Sequence, residues 1–317
     1  MTVSIYGYHI DLIFVVLMVN ITIHQIFIFI KKGLYKRKIQ SLRDILKASN
    51  LPVIMNVTLI LAGLFGIAAI MCVIGYDIVE IEKMHCNYVC TFNNTEIISE
   101  DEICERCNHK LPLISLNLSN SVFALYICFT TSIYMVLWFR QTMFSTEKTL
   151  KKLSPKCLKK FGYFQGLFII ISAIVVGIIW ILLNLLYFDY ILKLFLGIQL
   201  EIQIGLLTLF LIPLIKHQRS LKYLHQNQRP SDRLVRLMKR SIVAAIVAAI
   251  TDIATLGILI RLDFHFLCVN ILINMCCVLF CFTDWKTKFF PCIVLCIRDS
   301  EAAEPVPPND NIHEETV

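Results

Sequence analysis

FLCVNILINMCCVLFCFTDWKTKFFPC, residues 266–292, is apolar for most of its length and then breaks abruptly into Asp284, Trp285, Lys286 and Lys288. A soluble core could absorb such a run only if the rest of the chain supplied polar surface to cover it. It does not: of 317 residues, 57% are hydrophobic and 17% charged, and the mean hydropathy is +0.70, which is too apolar for a water-soluble domain. A helix needs about 20 apolar residues to cross the hydrocarbon layer. Runs of about that length recur near 10–30, 51–75, 116–139, 163–186, 190–215, 241–260 and 264–284. The expectation is an all-α protein, a seven-transmembrane helix bundle. Two of its connections, Phe188-Asp189-Tyr190 and Arg261-Leu262-Asp263, are so short that they require tight hairpins. Beyond Asp284 the chain is expected to turn along the membrane surface as a short amphipathic helix. Trp285, Phe289 and Phe290 would mark its apolar face, with Lys286 and Lys288 reaching the headgroups. Residues 1–296 then form one membrane domain. Residues 297–317, with Pro305, Pro307, Pro308, Asp310, Glu314 and Glu315, form a disordered cytoplasmic tail.

Charge distribution sets the expected sidedness. Short loops rich in Lys and Arg stay in the cytoplasm. The first connection carries Lys31, Lys32, Lys36, Arg37, Lys38, Arg43 and Lys47, and the third carries Lys148, Lys151, Lys152, Lys156, Lys159 and Lys160. The fifth is equally basic, with Lys216, Arg219, Lys222, Arg229, Arg233, Arg236, Lys239 and Arg240. Residues 76–115 have the reverse character, because Asp77, Glu80, Glu82, Glu96, Glu100, Asp101, Glu102 and Glu105 outnumber their bases. That places the N-terminus and the 76–115 loop outside, in a multipass plasma-membrane protein. Asn93-Asn94-Thr95 in the loop is a glycosylation acceptor, with Asn93 as the modified residue. The net charge of +7 is read as topology and contact with anionic lipid, not as nucleic-acid binding.

Most of the thirteen cysteines sit singly in apolar runs, where a thiol behaves as a small hydrophobe. Cys86, Cys90, Cys104 and Cys107 cluster instead. Their C-x3-C and C-x2-C spacing resembles a zinc site, but an external loop is oxidising and favours disulfides. Disulfides are therefore expected, with three pairings open, and no metal. Cys292 and Cys296, four apart beyond the seventh run, are placed for palmitoylation at the inner leaflet, the alternative being buried free thiols.

Ionisable groups inside a bilayer are costly, on the order of 2.5–3.5 kcal/mol on insertion scales, and normally face a cavity or a partner. Glu201 and Asp252 fall about eleven and twelve residues into the fifth and sixth runs, which run in opposite directions. Both are expected at mid-membrane, where they either share a water-filled site or are satisfied by neighbours such as Gln203, Thr251 and Thr255. His24, Asn270 and Asn274 read first as polar stitches between helices. Ala244, Ala245, Ala248 and Ala249 form two small-xxx-small pairs that permit close helix approach.

Seven spans, an outside N-terminus, basic inner loops and a terminal surface helix together resemble a G-protein-coupled receptor of the broadly rhodopsin-like kind. Asn274 precedes Trp285 by eleven residues. That is the spacing from the family's seventh-helix Asn to the aromatic residue opening the surface helix, although Asn274-Met275-Cys276-Cys277-Val278 lacks the motif's Pro and Tyr. Asn20 and Trp180 are similar to the family's first-helix Asn and fourth-helix Trp. Phe139-Arg140-Gln141 stands where Asp-Arg-Tyr would close the third helix. Pro213-Leu214-x-x-His217-x-x-x-Leu221 is similar to the fifth helix of bitter taste receptors. The second span lacks an acid, and the sixth and seventh spans lack Pro.

The resemblance implies a chemosensory or small-molecule receptor with no cofactor and no catalytic residues. A ligand, by this reading an amine, would contact Glu201, Asp252 and Asn270. Arg140, Asn274, Lys216, Arg219, Lys239 and Arg240 would form the switch and the surface for a heterotrimeric G protein. The alternative is a transporter or channel in which the intramembrane carboxylates bind ions. An intramembrane enzyme comes third, since the histidines His24, His217, His225 and His265 are scattered and no H-E-x-x-H motif is present.

Overall fold

The computed structural model describes residues 2–30, 51–92, 110–146, 156–223, 232–259 and 265–282. Among these residues the chain is helical, with no strand: α1 (Thr2–Phe29), α2 (Leu51–Phe92), α3 (Leu111–Thr146), α4 (Lys156–Tyr223), α5 (Asp232–Leu259) and α6 (His265–Phe280). Pro52 and Pro112 stand in the first turns of α2 and α3, where their missing N–H costs no helical hydrogen bond.

Helix α4 is not a straight rod. Gln165 Nε2 donates to the Ile202 carbonyl at 3.1 Å across 37 positions, residues that a straight helix would hold about 55 Å apart. The chain therefore doubles back between residues 182 and 190, giving two antiparallel arms. The sequence predicts this hairpin, but the helical trace runs through it without a break in the 188–190 linker.

Five segments are long and apolar enough to cross a membrane: His9–Phe29, Leu51–Cys86, Leu111–Met143, Cys157–Leu182 and Tyr190–Pro213. His265–Phe280 is apolar but shorter. With α5 and α6, the described chain presents seven helical segments, of which five are both long and apolar enough to span. Ile13, Ile250, Leu182 and Ile181 are 59%, 61%, 71% and 77% exposed. Water would penalise apolar surface of that extent, whereas lipid solvates it. The arrangement is that of a membrane-embedded, multipass protein. Four hydroxyl groups follow the same logic: Thr130, Ser132, Thr208 and Thr251 each donate to the carbonyl four residues back, so these four present no bare donor to the hydrocarbon.

The core lies along α2 and α3, the most extensively packed pair. Gly66 marks the point where α1, α3 and α6 converge on α2. A Cβ there would lie 2.8 Å from Met18 Cε, 3.0 Å from Ile271 Cγ2 and 3.3 Å from Phe129 Cδ2. Trp180 stacks on Phe123 with ring centroids 3.7 Å apart, and Trp138 Nε1 donates to the Gly162 carbonyl at 2.7 Å, fastening the first arm of α4 to α3. Of the four alanines in the small-xxx-small pairs, Ala244, Ala245 and Ala248 are buried and Ala249 is half-buried.

The 76–115 segment departs from its reading as a loop. Helix α2 continues to Phe92 and α3 begins at Leu111. Apolar runs report bilayer thickness, whereas helical hydrogen bonding continues into water. Here it is supported by Ser115 Oγ donating to Glu80 Oε1 at 2.8 Å, with Lys83 Nζ 3.5 Å from the same oxygen. Asn93, the side chains of Cys90, Cys104 and Cys107, the surface helix with Cys292 and Cys296, and the tail lie outside the described residues. Cys86 is not among the free thiols.

A polar hub around Asp252 as the candidate functional site

The middle of the bundle is built on four helices. Asp252 of α5 is 1% exposed and accepts hydrogen bonds on both carboxylate oxygens. Asn270 Nδ2 and Asn274 Nδ2, one turn apart on α6, donate to Oδ1 at 2.8 and 2.7 Å. Tyr134 of α3 donates its hydroxyl to Oδ2 at 2.8 Å, and Gln203 Nε2, from the second arm of α4, donates to the same oxygen. Gln203 also donates to the Tyr134 hydroxyl at 3.0 Å. The Asn270 carbonyl oxygen closes the network, accepting from Asn274 at 2.8 Å and from Tyr126 at 3.1 Å. A carboxylate has about four acceptor positions, and all four are filled by neutral donors.

That filling overturns part of the sequence-based expectation. Glu201 is exposed on the outer face of α4, on the side of Ile204, two residues before the buried Gln203. Helical periodicity decides the matter: positions two apart on a helix point about 200° apart, so Glu201 and Gln203 cannot both face the bundle. Glu201 and Asp252 share no cavity, and the paired-acid amine site is not formed. Asn270 does join Asp252, but as a hydrogen-bond donor inside a closed network.

A second linkage joins α3 and α5 nearer their other ends. Arg140, 6% exposed, donates from Nε to Ser241 Oγ at 3.1 Å, and its guanidinium lies 5.4 Å from the ring centre of Phe282, just past α6. Arg240 lies 5.7 Å from the Phe280 ring. Of the other expected coupling residues, Lys216 and Lys239 are exposed, Asn274 belongs to the hub, and the side chain of Arg219 lies outside the described residues. Asn20 is exposed and donates to the Val16 carbonyl of its own helix.

Beside the hub, a small pocket opens between α3 and the two arms of α4, with Thr130, Thr131, Tyr134, Ser172 and Gln199 among its lining residues. Gln199 is 1% exposed; it interacts with the Tyr126 hydroxyl, but neither its amide nitrogen nor its oxygen makes a hydrogen bond of full geometry. An under-satisfied buried amide costs about 1–3 kcal/mol per group, so this side chain is poised for a polar occupant. Sequence reasoning did not single out Tyr126, Tyr134 or Gln199. A buried Tyr or Gln in an apolar run carries no spacing signal of its own.

A separate cluster lies at the other end of the bundle. His265 Nδ1, at the start of α6, is 2.7 Å from Asp11 Oδ2 of α1 and 3.7 Å from Asp77 Oδ2 of α2. No family model matches the sequence, and no curated protein and no solved structure matches it either.

Proposed function

We propose that the chain is a seven-span cell-surface receptor that binds a small, neutral polar ligand and signals through a heterotrimeric G protein. The observation that carries this reading is the position of Tyr134, which lines the pocket holding the under-satisfied Gln199 and at the same time donates to Asp252. A ligand offering both a donor and an acceptor would satisfy the Gln199 amide and compete for the Tyr134 hydroxyl. Weakening the Tyr134–Asp252 bond would release α5 from α3 at mid-membrane and tax the Arg140–Ser241 bond at the far end of the same two helices. A ligand shifts such a balance only by binding the released arrangement more tightly than the closed one. The amine preference is dropped, because no acceptor position of Asp252 is left for an ammonium group.

Reconstitution of the full chain with heterotrimeric G protein in lipid vesicles, with guanine-nucleotide exchange measured against a panel of small amides and alcohols, tests the reading. At least one compound is expected to accelerate exchange in the parent, with the effect lost in Gln199→Leu. Solute uptake or ionic current across the vesicles, with no exchange response to any compound, would replace the receptor by a transporter or channel.

A further inference from the structure

The acid pair formed by Asp11 of α1 and Asp77 of α2 is not explained by the hub or by the pocket. Asp11 is completely buried, and its Oδ1 accepts no hydrogen bond. Its Oδ2 faces His265 Nδ1 at 2.7 Å, Asp77 Oδ2 stands 3.7 Å from the same nitrogen, and all three ligand atoms lie within 4.8 Å of one another. The three residues come from three helices, and His265 and Asp77 keep 27% and 12% of their side chains exposed, which leaves a path of entry from one side. On the closed side, the buried Cys268 thiol stands about one turn after His265 on α6.

The charge within the trio favours a cation. Two carboxylates and one imidazole carry a net negative charge among themselves even when the imidazole is protonated, whereas a divalent cation, two carboxylates and a neutral imidazole sum to zero. Geometry agrees with that sum. Around a tetrahedral ion with bonds of about 2.1 Å, ligand atoms stand roughly 3.4 Å apart. The observed separations of 2.7 and 3.7 Å straddle that spacing, so sub-ångström side-chain shifts would admit an ion. Imidazole nitrogen with carboxylate oxygen suits first-row transition dications better than calcium or magnesium.

We propose that Asp11, Asp77 and His265 form a binding site for a divalent transition-metal cation of the zinc type, with water completing the coordination on the exposed side. The bound ion ties the same ends of α1, α2 and α6 together. The site stands whether or not the chain couples to a G protein.

The test uses the full chain purified in lipid nanodiscs and Zn2+ itself as the probe, titrated in competition with a metal-indicator dye. One equivalent is expected in the parent. Asp11→Asn, Asp77→Asn and His265→Ala should each weaken its binding by more than the roughly 10–100-fold that loss of an outer-shell partner costs. Cys128→Ser, at an exposed free thiol outside the cluster, should retain it. Zinc X-ray absorption of the parent guards against variants that fail to fold: a shell of nitrogen and oxygen with an imidazole signature is expected. A missing equivalent in the parent, retention of tight binding in the Asp11 and His265 variants, or a sulfur-dominated shell would overturn the site and leave a hydrogen-bonded Asp–His–Asp relay.

Discussion

Arg140 donates from Nε to Ser241 Oγ at 3.1 Å while its guanidinium rests against the Phe282 ring, so one buried cation of α3 holds both α5 and the end of α6. Charge-assisted bonds of this kind contribute about 1.5–3 kcal/mol. Under the receptor reading, Ser241→Ala should loosen α5 and raise ligand-independent nucleotide exchange several-fold, measured in vesicles with purified G protein. Unchanged or lower basal exchange in a folded variant would remove this contact from any switching role.

The hub and the outward-facing acid predict opposite responses to similar chemistry. Asp252→Ala removes the acceptor for four donors, and interhelical bonds in membranes average about 0.6 kcal/mol each, so a loss of about 1–3 kcal/mol is expected in SDS-titration unfolding. Glu201→Gln at the exposed position should stay within about 0.5 kcal/mol of the parent. Comparable losses in the two variants would place Glu201 inside the bundle, against the arrangement described here.

Tyr134 and Gln203 bond each other and the same Asp252 oxygen. Their effects should therefore not add. A double-mutant cycle of Tyr134→Phe and Gln203→Leu should return a coupling of at least about 0.5 kcal/mol. Strict additivity in the same unfolding assay would show that the two donors act independently.

Glycine positions give a packing test free of polar chemistry. At Gly66, Met18 Cε can swing away but Ile271 Cγ2, 3.0 Å from an added Cβ, must also yield. Gly66→Leu is thus expected to cost more than Gly66→Ala, within the roughly 1–3 kcal/mol typical of overpacking. Gly177 has nothing within 4 Å of its added Cβ, and Gly177→Ala should be neutral or raise stability by up to about 1 kcal/mol through helix propensity.

The helices were legible because hydrocarbon demands long apolar runs, and each expected run lies within or beside a helical segment. Helix ends were not, since α2 beyond residue 75 and α3 before residue 116 follow backbone hydrogen bonding and the Glu80–Ser115 contact, not hydropathy. Asp252 was legible as an acid deep in an apolar run, and Asn270 and Asn274 as polar stitches on one helix face. Depth along a helix was thus readable, but facing was not: Glu201 and Asp252 look equivalent by depth and differ entirely in which way they point. The Asp11–Asp77–His265 cluster was within reach, because all three residues fall at the same expected boundary of runs one, two and seven. What hid it was reading Asp77 as part of a loop and His265 as one of several scattered histidines.

Helix α6 meets each of these features in turn. His265 opens it, Asn270 and Asn274 occupy its middle, and Phe282 follows it under Arg140. Its 16 residues make a rod of about 24 Å, too stiff to compress. A slide of one ångström along its own axis would therefore be read at three stations at once, as a plunger's stroke is the same at both of its ends.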